Sequence, residues 1–380
     1  MLRGVLIDDI EVLNRYWHAW DELAELNNLP YSSPDWVLSW WRHVAPATAQ
    51  LRTVLVFDGM DLVGIAPFFV DRARSGLVRF RLLGSSRRDF VVGAELEREM
   101  TAIVAEQVSR NEPSPDLIMI EGVPNDRSWP RLLENAWPAG RMKLHRQFTQ
   151  RAPNARLEGR TYDEWFRSKS HSFRKSMRRG LRQLEAVGGK ISLTRDESEL
   201  GRGLEAFTRL HHKRWKGRGG SRVLDDRVHR MLEDAAKALI GQLRFRIWSI
   251  NIDGHTISSN IFLSAGGETA YWLGGFDEKW SDLQPSILTI LAALEHGFTA
   301  GDSRLDLGAG AQPYKYRFSD SEDYLESLLI VRSGLKAPLA RSQMLRARTR
   351  MALAERLPTS TKRRARHALR LMTPWRRWWT

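Results

Sequence analysis

The sequence predicts an α/β (α+β) protein of two related halves, with mixed sheets flanked by helices and a basic helical tail at the end. Three observations predict it. Strand-type alternation and helix-type 3–4 spacing succeed one another along most of the first 332 residues. One order of elements (helix, hairpin with an Asp-Gly turn, strand, helix, strand) occurs on both sides of a connection at 153–159. The charge is also segregated: residues 333–380 hold 13 Lys/Arg against one acid, whereas residues 1–332 hold 46 against 44. The expected divisions are therefore 1–155, 156–332 and 333–380.

In the first half, residues 5–7 read as a strand and 11–26 as a Trp-rich amphipathic helix. Ser33-Pro34 opens a helix with a capping side chain and proline at its first position, and Trp36, Val37, Trp40 and Trp41 form its apolar face. Residues 53–57 and 62–70 form a hairpin about Asp58-Gly59-Met60-Asp61. A strand at 78–83, a helix at 95–110, a strand at 116–121 and a helix at 129–137 follow. The second half opens with the capping-box pattern Thr161-Tyr162-Asp163-Glu164 and a helix running to 187. A strand (190–194), a helix (197–216), a Gly-rich break (217–220) and a helix (224–239) lead to three strands at 243–252, 256–264 and 269–275. Asp253-Gly254 and Gly266-Gly267 are the turns of those strands. A helix at 285–299 and strands at 303–307 and 324–331 end the block.

Composition narrows the function. The 380-residue chain contains no cysteine, which removes disulfides, thiolate metal sites and a cysteine nucleophile. No His-Glu or Cys spacing predicts a metal site, and adjacent His211 and His212 on a helix cannot serve one metal. The first residues lack the apolar run of a signal peptide, and no stretch approaches the ~18 apolar residues of a spanning helix. The body is expected to be cytoplasmic. The net charge of +14 invites a nucleic-acid partner, but +12 of it sits in the tail, which argues against one for the body.

The second half carries an ordered set of motifs. Tyr271-Trp-Leu-Gly-Gly-Phe-Asp277 is followed by Trp280, Gln284-Pro-Ser-Ile-Leu288, Ala300-Gly301, Arg304-Leu-Asp-Leu-Gly308 and Pro313-Tyr-Lys-Tyr-Arg-Phe318. Upstream stands Phe173-Arg-Lys-Ser-Met-Arg-Arg179. This set resembles the BioF2-like, CelD/BcsL-type acetyltransferases of the GNAT superfamily and is more distantly similar to the tandem-GNAT Fem-type aminoacyl ligases. The resemblance covers about residues 1–332. It implies two GNAT-like domains, an acyl-CoA (acetyl-CoA) co-substrate, no metal, and transfer to an amine or hydroxyl of a cell-envelope or polysaccharide-related acceptor. The alternatives are a Fem-like ligase using aminoacyl-tRNA and a non-catalytic assembly factor with a degenerate pocket. The sequence departs from the usual Gly-rich pyrophosphate loop, with Asp282-Leu283-Gln284-Pro285-Ser286 in its place.

The resemblance assigns roles residue by residue. Leu273, Gly274 and Gly275 offer a strand edge to the pantetheine arm, and Leu283, Gln284, Pro285, Ser286 and Ile287 bring the pyrophosphate to a helix N-terminus. Read locally, the same residues are a strand end and a plain strand–loop–helix connection. Lys315 places positive charge near the thioester oxygen, Tyr314 or Tyr316 protonates the leaving thiolate, and Asp306 orients or deprotonates the acceptor. The bland alternative makes Lys315 a solvated loop charge and Tyr316 a core aromatic. Apart from the resemblance, Arg174, Arg178 and Arg182 share one face of a helix with seven Lys/Arg and no acid across 167–182 and are candidates to hold the CoA phosphates or an anionic, small-molecule or lipid-linked acceptor, while one of the adjacent histidines, His212 or His211, is a candidate with Arg214 to line the acceptor pocket. A solvated face is the ordinary reading of such a run. In the tail, Ala365, Ala368, Leu369 and Met372 share a helical side among arginines, and Trp375, Trp378 and Trp379 close the chain. That pattern fits a helix lying on the inner face of the cytoplasmic membrane. A disordered basic tail and an RNA or DNA partner are the alternatives. Oligomeric state has no signature in the sequence.

Overall fold

The structure, a computed structural model, describes residues 1–216, 220–221, 223–340 and 342, so the tail helix and its terminal tryptophans lie outside the described residues. It is a mixed α/β fold of two compact units, residues 1–152 with 322–340, and residues 153–321. The linear division at 155 and 332 assigns the last strand to the second block. In the structure that strand belongs with the first unit from Glu322 onward, because it pairs antiparallel with a first-unit strand, Leu325 opposite Pro124 through Val331 opposite Leu117.

The first unit holds β1 (Leu2–Ile7), α1 (Ile10–Asn14), α2 (Trp17–Leu26), α3 (Pro34–His43), β2 (Gln50–Leu51), β3 (Thr53–Asp58), β4 (Asp61–Ala66), β5 (Phe68–Arg72), β6 (Val78–Leu82), β7 (Val91–Val92), α4 (Glu97–Arg110), β8 (Leu117–Pro124) and α5 (Trp129–Ala136). β9 (Met142–Arg156) leads out of it. β1, β3, β4 and β7 make one antiparallel sheet. A second sheet links β2, β5, β6, β8 and the last strand. The strand expected over 62–70 is cut by Pro67, which has no N–H for a ladder, and its halves enter different sheets. The helix expected over 11–26 breaks at Arg15–Tyr16. Ser33 does precede α3, but its hydroxyl donates to the Pro30 carbonyl (3.4 Å) and caps no first-turn amide. The core gathers Phe68, Phe80, Phe90, Val104, Ile118 and Trp129.

The second unit holds α6 (Tyr162–Ser168), α7 (His171–Ala186), β10 (Lys190–Thr194), α8 (Glu197–Lys216), α9 (Asp226–Leu239), β11 (Phe245–Ile252), β12 (His255–Ala265), β13 (Glu268–Phe276), α10 (Pro285–Ala300), β14 (Arg304–Asp306) and the short α11 (Pro313–Tyr316), after which β15 (Ser321–Arg332) begins. The Thr161 capping box is present, but Ser170 starts a new helix by accepting from the Phe173 amide (3.2 Å), so the helix expected to 187 is two. β10 to β13 form an antiparallel meander, and Asp253, Gly254 and Gly266 take the positive φ that the tight turns need. β13 then pairs in parallel with β14, after a crossover through α10. Phe173, Met177, Gly180 and Leu184 turn one stripe of α7 into the core. Gly180 faces Leu283 and Leu288 at the start of α10, where an added Cβ would meet Leu288 at 3.2 Å.

Candidate functional site

The site begins where two strands part. β13 and β14 are paired over only three positions, Glu268 with Arg304, Thr269 with Leu305, and Ala270 with Asp306. Beyond them β13 continues to Phe276 without a β14 partner, while the chain after Asp306 leaves for a Gly-rich turn. A bulge opposite Ile261/Phe262 leaves Trp272 as the extra residue of β13, which twists the strand where it loses its neighbour.

Lys315 points into this parting from α11. It is 4% exposed, and its Nζ donates to the carbonyls of Gly308 (2.8 Å) and Ala309 (2.7 Å). Burial lowers its pKa from 10.5 to about 8, against the raising effect of the Asp306 carboxylate. Asp306 is itself buried at the end of β14 and accepts from the Gly308 amide (2.8 Å), which holds the turn that Lys315 reads. Gly308 has φ 76, and a Cβ there would stand 3.1 Å from the Tyr271 carbonyl, so glycine is required on both counts. The Tyr314 and Tyr271 hydroxyls hydrogen-bond to each other, and burial pushes the pKa of both upward. Arg214, at the end of α8, lies over the Phe276 ring (5.0 Å) and is close enough for its charge to favour ionisation of both tyrosines.

Asn260 of β12 is fully buried. Its Nδ2 donates to the Ser286 carbonyl (3.1 Å) and to Thr289 Oγ1 (2.5 Å), whereas its Oδ1 is buried with no hydrogen-bond partner. That atom faces Gly274: a Cβ on Gly274 would overlap it and stand 2.7 Å from the Tyr271 hydroxyl. Gly275 faces the other way, and a Cβ there would meet the His211 amide nitrogen at 2.6 Å, so this glycine seats α8 on β13. His211 is buried, its Nε2 bonds with the Ser221 hydroxyl (2.9 Å), and burial takes its pKa down to about 4.

At the start of α10, Gln284 takes a left-handed conformation (φ 50) and Pro285 occupies the first helical position. The Ile287 and Leu288 amides both turn onto the Gln284 carbonyl. Pro285 has no amide hydrogen, which leaves Ser286 as the first-turn donor not committed to Gln284. The Ser286 hydroxyl lies 3.5 Å from that of Ser258, and no acid stands in the first turn. Arg317 donates to Gln284 Oε1 (3.3 Å) while lying over Phe173 (5.2 Å).

Of the residues nominated from sequence, Lys315, Tyr314, Asp306, Arg214 and Gly274 come together about Tyr271. Leu273 is half-buried beside them, Leu283 turns toward α7, and Ile287 packs against the core. Tyr316 points outward, 39% exposed. His212 is exposed and donates to the Leu224 carbonyl (3.1 Å). Arg174 bonds the Arg167 carbonyl, and Arg178 lies over Phe166 (5.5 Å), so both are engaged within the α6–α7 hairpin. The sequence gives no role to Asn260, places Tyr271 only in the strand edge offered to the donor, and offers His211 only as the alternative to His212 beside Arg214. A signal for Asn260 was available in the polar run Ser258-Ser259-Asn260 inside an apolar strand, and all three residues are fully buried. Among the described residues no group of three or more His, Cys, Asp or Glu side chains could hold a metal ion, and no helix is long and apolar enough to cross a membrane.

The model of the acetyltransferase (GNAT) domain family matches residues 171–316, the stretch that carries this site. Among solved structures, FemX superposes over 90% of this chain and 100% of its own with a TM-score of 0.64 at 12% identity. The C-terminal domain of a protein assigned as a lysylphosphatidylglycerol synthetase from Agrobacterium fabrum covers 87% of this chain and 95% of its own, with a TM-score of 0.55 at 10% identity. L-PGS from Bacillus licheniformis covers 90% and 96%, with a TM-score of 0.52 at 12% identity. At these identities the likeness is one of fold. No curated protein matches the chain.

Proposed function

We propose that the chain is an acyl-CoA-dependent acyltransferase that carries an acyl group, acetyl in the simplest case, to an amine or hydroxyl of an envelope- or polysaccharide-related acceptor. The observation that supports it most is the parting of β13 from β14 with the buried Lys315 ammonium beside it. The surroundings suit a thioester donor. β13 has an edge without a β14 partner beyond Ala270, an orphaned buried amide oxygen stands at Asn260, and the acid-free start of α10 has Arg317 close by. The phosphate cradle is thin, one uncommitted first-turn amide with a guanidinium nearby, which matches the missing Gly-rich loop.

The bound thioester supplies the acyl group and a sulfur leaving group. Lys315 spends two hydrogens on the Gly308 and Ala309 carbonyls and keeps a third for an oxygen that gains negative charge. Asp306 fixes the turn and favours the protonated form of Lys315. Tyr314, whose pKa burial raises, keeps its proton at neutral pH and can give it to the leaving sulfur, the proton released by the attacking amine or hydroxyl passing through solvent to restore the phenol. Tyr271 orients that hydroxyl. Arg214, which has no carboxylate partner among the described residues, stands where an anionic part of the acceptor would meet its guanidinium.

Titration calorimetry of the full chain with acetyl-CoA and longer acyl-CoAs tests the reading. We expect saturable binding of at least one donor. Transfer from aminoacyl-tRNA with no CoA binding would replace it with the Fem-like ligase reading, and silence toward both donors would leave an assembly factor with a degenerate pocket.

A further inference from the structure

We propose that the outer face of α7 is a docking surface for an anionic phospholipid bilayer. The inference goes beyond the acyl-transfer reading and does not depend on it. α7 is 16 residues long, about 24 Å at an α-helical rise. Its apolar stripe, Phe173, Met177, Gly180 and Leu184, is committed to the core, so the helix cannot roll. The opposite face carries Lys175, Arg178, Arg179 and Arg182, all exposed. From 167 to 182 there is no acid, and the first one met is Glu185. Among the described residues Arg167 and Lys169 have carboxylate partners, Asp163 and Asp320, whereas Lys175, Arg178, Arg179 and Arg182 have none. A solvated surface helix ordinarily intersperses Glu and Asp at i, i+4 to relieve such repulsion. Here four like charges are held in a rigid row, and that arrangement costs stability unless an anionic partner neutralises it.

The shape and chemistry of the row favour a membrane over a nucleic acid. The outer face presents no Phe, Tyr or Trp on which a base could stack. What it offers is a straight line of cations with Leu181 on its flank, 39% exposed, suited to a plane of headgroup phosphates. The C-terminal sequence, most of it beyond the described residues, has the same character: residues 333–380 carry +12 and close on Trp375, Trp378 and Trp379, a pairing of basic and indole side chains typical of membrane interfaces. Neither element alone needs to hold the protein, since the contributions of basic residues at an anionic surface add.

Co-sedimentation of the full chain with lipid vesicles tests this. Binding is expected to vesicles containing phosphatidylglycerol, not to phosphatidylcholine alone, and to weaken as salt is raised. The triple variant Lys175→Gln, Arg179→Gln, Arg182→Gln should weaken partitioning about a hundredfold. The charge-preserving variant Arg179→Lys, Arg182→Lys should bind as the parent does, which separates charge from any structural role of these arginines. Equal partitioning of the parent and the triple variant would overturn the proposal, as would binding to tRNA with none to either vesicle.

Discussion

Among the described residues parallel strands part in two places, one in each unit, and the two are filled differently. In the first unit β6 and β8 run together over Arg79–Leu117, Phe80–Ile118 and Arg81–Met119, three positions, as β13 and β14 do in the second. Past that point the first parting is closed by charge. Glu121 accepts from Arg81 (3.1 Å) and Arg88 (2.6 Å), and burial, which alone would raise its pKa, is outweighed by the two guanidinium groups. The loop that brings Arg88 there passes through Ser86 at φ 70, against Gly122, where a Cβ would meet the Ser86 carbonyl at 2.6 Å. The helix after each parallel strand differs in the same sense. α4 begins with Glu97 and Glu99, and Glu97 accepts from the Ser128 and Trp129 amides, whereas α10 begins without an acid. One half thus answers its own unpaired groups with carboxylates and arginines. The other leaves a lysine, two tyrosines and an amide oxygen facing one another. Under the proposed function, the difference separates a parting closed for stability from one left open to a donor.

The strongest way to break this comparison is to open the first parting. Glu121→Ala leaves Arg81 and Arg88 buried without their shared partner, and breaking such a pair costs about 3–5 kcal/mol. For a unit of this size that corresponds to a fall in melting temperature of about ten degrees, read by calorimetry. Donor affinity of the folded protein at low temperature should not change. An unaltered melting temperature with lost donor binding would reverse the roles assigned to the two partings.

In the second parting the expected loss is in rate. Lys315→Ala removes a donor aimed at developing charge, and losing one such donor costs about 10²–10³ in kcat. Donor affinity measured by calorimetry should change far less, since the interaction belongs to the transition state. A variant with parental kcat would retire the role.

Much of this contrast was legible in the sequence, for identifiable reasons. The capping box at Thr161, the turns at Asp253-Gly254 and Gly266-Gly267, and the helix over 197–216 rest on local chemistry and stand in the structure. Lys315, Tyr314 and Asp306 were found through motif order. What escaped were features fixed by distant partners. β9 is a 15-residue strand whose polar sequence, with Lys143, Arg146, Gln147, Gln150 and Arg151, lacks an apolar alternation to reveal it. The helices expected over 11–26 and 161–187 carry an unbroken apolar period across breaks that tertiary packing decides. Gly275 reads as freedom for a ligand to approach, yet the backbone it admits is that of α8. Glu121 gave no sign, because an acid in a strand becomes informative only once Arg81 and Arg88 are seen to converge on it.

The most delicate test of the comparison is pH. Lys315 has its pKa lowered to about 8 in the fold, from 10.5. The protonated form is the one that can stabilise an oxyanion, so kcat should be level below pH 8 and fall about tenfold per unit above it. Stability moves the opposite way. The unfolded chain holds the lysine proton more tightly than the folded one, so the penalty of burying the ammonium is fully present below pH 8 and is relieved between about 8 and 10.5. Activity lost over a range in which the protein becomes no less stable distinguishes deprotonation of this group from alkaline unfolding. Lys315→Arg stays charged throughout, so its residual activity should show no limb near pH 8. A parental profile flat to pH 9.5, or one whose limb survives in Lys315→Arg, would show that the charge of Lys315 does not govern turnover and leave Lys315 as a brace for the Gly308 turn.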